Sequence, residues 1–449
     1  MFRMVRLETK RSVAPALFLA LAALTRVFLW MDVQQWAASW TSLVHSLRST
    51  AWVVLPLVLA AAIWHGGRER RSAVSELFAA TPRPGPVRLL PAFAVTAGAA
   101  VLAVAAIVGW AAAIVSGNAT FSDGQWPLGL AVGLLVVVAV ALLGLGIGRV
   151  APAPVAAPLG AVLLFLVLAV SQVRDGRPAN RLVDTVLPML PVTDDFHRVL
   201  PSLSAGQAVW FAALGLSGVL LAVAATTRAR VLAAAPAVAG LALGSLVAPS
   251  GAIVPEPRAT EMVCAAEDGR VCVTRVHRAA LHDLLPPARR VLDAFAGVPG
   301  GPTRVQEDPV SWMIDDGRAA GGAGDPGTVR IELPYRTQQG GIRWEPATVL
   351  DLLAQNALGD RDCPLGERAR ARASDASKAV TVLLLDTPAD RLSPVARAAL
   401  DTLRALPAEE RRQRIGEARK AGLACGDPLA AVTGDAGTGE AVTGEEAGR

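Results

Sequence analysis

Lysine is almost missing from this chain: Lys10, Lys378 and Lys420 are the only three among 43 basic residues, so arginine carries nearly all the positive charge. Cysteine is missing until Cys264, and no C-x-x-C occurs anywhere. Asp, Glu, Lys and Arg are missing from the central parts of all but the first of the long apolar runs. Ion-coupled carriers and proton pumps keep ionisable groups at membrane depth, so that absence disfavours both. There is no H-E-x-x-H and no G-x-S-x-G, which removes the zinc-peptidase and nucleophile-elbow readings. The glycine-rich "GVPGGP" at 297–302 lacks the Lys-Ser/Thr of a phosphate loop, and its prolines lack N–H donors. Asp315 and Asp316 form an acid pair beside "GRAAGGAGDPG", a pattern that reads as a solvated loop. No catalytic residue, cofactor site or metal site is expected.

What is present is apolar. Of 449 residues, 53% are hydrophobic and 18% charged, and the mean hydropathy is +0.43. Those values belong to a membrane protein. A pI near 9.5 suggests nucleic acid, but the arginines sit in short loops between apolar runs, which is the pattern of membrane topology instead.

A hydrocarbon core of about 30 Å needs roughly 20 apolar residues in a helix. Runs of this kind lie at 12–31, 50–64, 88–115, 126–148, 152–173, 205–226 and 230–249, and predict seven spans. The second is short and can begin within "TSLVHSLRST". "RVAPAPVAAP" and "TTRAR" read as tight joints. Arg3, Arg6, Lys10 and Arg11, then the 65–88 loop, Arg149, and Arg228 with Arg230, fall on one side. Arg48 falls in a loop on the other, and Arg174, Arg177, Arg181 and Arg198 there are offset by Asp175, Asp184, Asp194 and Asp195. The bias predicts a cytoplasmic N-terminus, and an odd span count puts everything after residue 250 outside the cell membrane. The first run leads into further spans and has no small-residue cleavage site, so it reads as a span and not a signal peptide. Arg26, near the outer end of that run, reads as a snorkelling side chain. Gly129 with Gly133, Gly144 with Gly148, and Gly240 with Gly244 are small-x-x-x-small pairs suited to close helix packing.

Residues 251–426 read as an α+β domain. Strand-like "MVCAA", "VCVTRV", "TRVQE", "VSWMI" and "TVRIELP" come first; helical "PATVLDLLAQNAL", "SKAVTVLLLD", "SPVARAALDTLRAL" and "PAEERRQRIGEARKAGLA" follow. Cys264, Cys272, Cys363 and Cys425 all fall in this domain, as an oxidising compartment allows. A hairpin over "AAEDGR" would join Cys264 to Cys272 and leave Cys363 for Cys425. Metal binding by these cysteines is the weaker reading, since the spacings fit no zinc knuckle and His277 and His282 do not share a helix face. Residues 427–449, small, acidic and quasi-repeated, read as a disordered tail.

"HGGRERRSAVSELFAATPRP", residues 65–84, is charged well beyond what a connector needs. Ser72 can cap a short amphipathic helix with Val74, Leu77 and Phe78 on one face, ended by Thr81-Pro82. Such a helix lies on anionic lipid or docks into a groove on a cytoplasmic protein, and the residues leave both open.

"RLETKRSVAPALFL" and "GGRERRSAVSELFAATPRP" resemble the elbow and the charged cytoplasmic loop of ABC-2-type transporter permeases of high-GC bacteria. The likeness covers about the first 230 residues; the family usually has six spans and no such outer domain. It implies a permease subunit without catalytic residues of its own, energised by a separate cytoplasmic ATPase. Arg68, Glu69, Arg70, Arg71, Glu76, Leu77 and Phe78 would form the ATPase contact. Membrane lipid, and a homodimer mate or second permease, are the other partners implied; nucleic acid is not. The alternative is a non-transporting multispan anchor that presents an extracytoplasmic binding or structural module.

Overall fold

The structure is a computed structural model that describes residues 2–72, 85–172, 180–189, 196–251, 253–267, 269–309, 325–333, 345–359, 363 and 365–434. Two compact units divide the chain, residues 1–259 and 260–449. The expected boundary at 250 shifts because strand β2 (Ile253–Pro255) pairs antiparallel with β1 (His197–Val199) of the first unit.

The first unit is helical. A basic-ended helix α1 (Phe2–Arg11) precedes α2 (Ala14–Met31). The short α3 (Val33–Trp36) leads to α4 (Trp40–Ser49) and α5 (Ala51–Gly66), with a single turn α6 (Arg68–Arg71) after it. Then come α7 (Gly85–Asn118), α8 (Trp126–Val150), α9 (Ala156–Gln172), α10 (Arg181–Val186), α11 (Pro201–Val223), α12 (Thr227–Leu232) and α13 (Ala235–Val247). Proline opens α2, α8, α11 and α13 in first-turn positions where no N–H is needed. Ser39 caps α4 by accepting from the Ser42 N–H at 3.2 Å.

Five helices among the described residues are long and apolar enough to cross a membrane, and α4 with α5 makes six if that bent pair is one span. The seven apolar runs therefore do not become seven equal helices: α9 has 17 residues, and α4 meets α5 at 51°. The bend falls where the Ser49 and Thr50 hydroxyls both donate back to carbonyls three residues earlier, at 2.7 Å each. Leu19, Leu102, Leu163, Val170, Leu216 and Leu243 are exposed, an apolar surface of the kind lipid covers.

Glycine sets how closely the helices meet. A Cβ at Gly144 would lie 3.0 Å from the Leu59 carbonyl oxygen, and one at Gly148 would strike the carbonyl oxygen of Ile63. Gly206 and Gly244 face each other's backbones, while Gly146 faces the Gly218 carbonyl and Gly218 the Leu142–Leu143 backbone. The Gly129–Gly133 pair is looser, against the Val44 and Arg48 side chains at 3.0 and 3.6 Å. These contacts fix direction as well: α8 runs parallel to α5 and to α11, while α13 runs antiparallel to α11.

Tryptophans gather at one end of the bundle. Trp40 stacks on Trp126 at 4.6 Å, and Trp36 meets Trp110 edge-on at 5.7 Å. Arg26 places its guanidinium over Trp110 at 3.6 Å and over Trp30 at 4.9 Å, so this charge rests on aromatic faces instead of only reaching for the interface.

The second unit carries a four-stranded sheet in the order β3 (Met262–Cys264), β4 (Val271–Thr274), β5 (Arg304–Glu307) and β6 (Thr328–Ile331). β3–β4 is the expected antiparallel hairpin; the β4–β5 and β5–β6 pairs are parallel. Val271, Val273, Val305, Val329 and Ile331 pack on α14 (Leu281–Ala294), α15 (Pro346–Leu358) and α16 (Glu367–Leu385) in one core. Helices α17 (Pro394–Ala405), α18 (Ala408–Leu423) and α19 (Pro428–Thr433) complete it.

Cys264 and Cys272, register partners across the hairpin, form one disulfide, and Cys363 with Cys425 forms the second. Cys425 takes a left-handed φ of 56° where α18 ends, with the Gly426 N–H returning to the Ala421 carbonyl at 2.8 Å. Residues 427–434, expected within a disordered tail, are instead ordered, because Leu429 and Val432 of α19 are buried in the core; the rest of the expected tail, 435–449, lies outside the described residues. The expected strand "VSWMI", Asp315 and Asp316 lie outside the described residues.

His277 is not available to a metal. It sits in a 3₁₀ segment, Arg275–Ala280, buried and paired through Nδ1 with Glu307. Glu307 also accepts from the Thr274 N–H at 2.7 Å and its hydroxyl at 2.8 Å, so the buried carboxylate is well supplied with donors. Among the described residues no group of three or more His, Cys, Asp or Glu side chains is arranged to hold a metal.

Candidate functional site

The charges of the 65–72 stretch do not stand free; most are tied into the bundle. The last turn of α5 carries His65, whose side chain is 3% exposed. Its Nε2 donates to the Glu8 carboxylate of α1 at 2.8 Å, and Nδ1 meets the Thr96 hydroxyl of α7 at 2.7 Å. A carboxylate only accepts, so Nε2 carries the proton, and Thr96 can donate to Nδ1 of a neutral ring. Arg68 Nη1 donates to the same Glu8 oxygen at 3.0 Å. His65 and then the Arg68 charge hold the Glu8 carboxyl below the usual glutamate range, against an opposing contribution from burial.

Glu69 turns the other way and accepts from Arg149 Nη1, at the end of α8, at 3.0 Å. Arg71 donates to the Trp64 carbonyl and lies 4.2 Å over the Trp64 ring. Arg70 is exposed and makes no ion pair among the described residues. Of these pairs only Arg68–Glu8 has an exposed partner, and a pair that open contributes about 0–1 kcal/mol, so its effect is to fix geometry more than to add stability. Together they join α1, α5, α7 and α8 at one end of the bundle. A cavity of about 340 Å³ opens between them, lined by Glu8, His65, Arg68, Glu69, Phe93 and Arg149 among others.

Of the expected ATPase-contact residues, the structure brings Arg68, Glu69, Arg70 and Arg71 into this one turn. Glu76, Leu77 and Phe78 lie outside the described residues, as does the helix expected after Ser72. Ser72 itself ends the Arg68–Arg71 turn.

Arg48 was expected in a loop; the structure buries it. It is 4% exposed, at the end of α4. Its Nε donates to the Pro188 carbonyl at 2.8 Å and its Nη2 to Gln207 Oε1 at 2.7 Å. The Gln207 amide in turn donates to the Asp184 and Leu187 carbonyls at 2.7 and 2.9 Å. The bundle therefore does hold an internal charge outside α2, because the second apolar run starts before residue 50.

No family model matches the chain, and no match to it was found among curated proteins or solved structures.

Proposed function

We propose that this chain is the membrane subunit of a transport complex energised by a separate cytoplasmic ATPase of the ABC type. In this reading it crosses the cell membrane seven times, with α4–α5 as one bent span, α9 as a short one and α12–α13 as the last. The arginine-rich end faces the cytoplasm and the disulfide-bonded unit faces outward. Lipid covers the exposed aliphatic surface, and a second copy or a second permease completes the pathway.

One observation carries the proposal: the Glu8–His65–Arg68 tie, with Arg149–Glu69 beside it, leaves no slack between the 68–71 turn and four helices. A push on that turn reaches α1, α5, α7 and α8 through contiguous polar contacts. Arg70, pointing outward, is the described residue free to meet the ATPase.

Tagged full-length protein purified in mild detergent is expected to bring down a subunit with ATP-hydrolysing activity. Arg70→Glu, which touches none of the internal pairs, is expected to lose it while the chain stays folded. Recovery of no ATPase with the unaltered chain would end this reading. The second reading, an anchor presenting an outer module, is favoured by the separate closed core of residues 260–434 and would then stand.

A further inference from the structure

We infer that Asp123 is the counter-charge of Arg48, and that the two form a latch, bridged by one ordered water, at the tryptophan-rich end of the bundle. The Arg48 guanidinium is buried, and its hydrogen bonds go to neutral acceptors, the Pro188 carbonyl and Gln207 Oε1. These bonds use Nε and Nη2, so a guanidinium with five N–H donors has others left to give. No direct ion pair to Arg48 forms among the described residues. A buried cation without a counter-charge is costly in any protein, and more so in a membrane bundle.

Asp123 has the complementary anomaly. It lies in the connection between α7 and α8. One of its carboxylate oxygens accepts from the Gln125 N–H at 3.0 Å, while the other is buried with no partner. An unanswered carboxylate oxygen is costly for the same reason as an unanswered cation. Asp123 and Arg48 line one cavity of about 20 Å³, with Thr41, His45 and Ser204 on its walls. That is space for one water. A water there donates to Asp123 and accepts from Arg48, with the two hydroxyl side chains beside it, and so answers both anomalies at once.

Through Arg48 the latch joins α4, the chain just after α10, α11 and the α7–α8 connection. Arg48 and His65 lie toward opposite ends of the α4–α5 pair. That pair is therefore held by charge at both ends: by the Glu8–His65–Arg68 tie at one and by the latch at the other. Loss of the Asp123 charge releases the second end and leaves the first in place. His45 is the other titratable group on the cavity wall. The inference does not depend on an ATPase.

The test is amide hydrogen exchange of the full chain in detergent at pH 7, read over residues 123–129 as protection relative to the unfolded chain. Asp123→Asn keeps an acceptor for the Gln125 N–H and removes the charge. It should lower protection there about tenfold, the effect of losing one charge-assisted contact. Arg48→Gln should do the same. Adding Asp123→Asn to Arg48→Gln should then cost nothing further, which is the mark of two groups that act on each other. Unchanged protection in Asp123→Asn, or losses that simply add in the double variant, overturns the latch. If Arg48→Gln alone does not fold, the double variant decides: removing the orphaned carboxylate should restore folding, and a double variant as unfolded as the single one overturns the latch.

Discussion

Glu8 concentrates the consequences found at the level of single residues. It accepts from His65 and Arg68 at once, and its carboxyl is held below the ordinary value of 4.5 chiefly by the His65 hydrogen bond. A carboxyl with a lowered folded pKa takes up its proton more readily in the unfolded chain. Its stabilisation is therefore complete above the ordinary value and is lost as pH falls through the lowered one. The protection of the backbone amides over residues 2–11, taken as their exchange rate relative to the unfolded chain at the same pH, should be high at pH 7 and should fall as the pH drops through the lowered Glu8 value. Glu8→Gln should give about tenfold faster exchange already at pH 7, the effect of losing one charge-assisted hydrogen bond. Unchanged exchange in Glu8→Gln would mean that apolar packing, and not the carboxylate, docks α1. The arginine cluster was plain in the sequence; its partners were not. Glu8 and Thr96 lie 57 and 31 residues from His65, and no periodicity links residues so far apart. Arg48 was misplaced for a related reason. Counting apolar residues puts the start of a span at residue 50, whereas a bent helix carries the bundle back to Trp40.

Among the elements, the small-x-x-x-small pairs were legible, and two of the three become backbone contacts: Gly144–Gly148 against α5 and Gly240–Gly244 against α11. Gly206 opposite Gly244, and Gly146 opposite Gly218, stand outside those pairs, and single glycines carry no spacing signal that would reveal them. Gly148→Ala should destabilise the bundle by about 1–3 kcal/mol, since the added methyl must displace the Ile63 carbonyl. Gly98→Ala on α7 meets nothing within 4 Å and should leave stability unchanged or slightly raised. Melting of the two variants in the same detergent separates a packing effect from a helix-propensity effect. Equal midpoints would show that α5 and α8 do not meet as described. In the second unit, the hairpin and the last helices followed the sequence closely, helped by Ser393 accepting from the Ala396 N–H at 3.0 Å. The start of α16, ten residues before "SKAVTVLLLD", was hidden by its charged first turns.

For the molecule as a whole, the two disulfides differ in how much chain they close. Cys264–Cys272 spans 8 residues and Cys363–Cys425 spans 62. Loop-closure entropy makes the longer one worth about 4 kcal/mol and the shorter about 2.5 kcal/mol. Cys363→Ala with Cys425→Ala should therefore lower the unfolding midpoint of the second unit in denaturant more than Cys264→Ala with Cys272→Ala. The reverse order would show that the hairpin bridge carries the unit. In the first unit, lipid offers apolar side chains as much as another helix does, so association rests on packing and on what ordering costs. Freezing a leucine or isoleucine costs about 0.5–1 kcal/mol in rotamer freedom, whereas glycine has none to lose. Where Gly206 meets Gly244 and Gly146 meets Gly218, the helices adhere through atoms that were never mobile. The seam joining α8, α11 and α13 thus forms without an entropic toll on side chains, and warming should loosen it less than a leucine-lined contact of the same area.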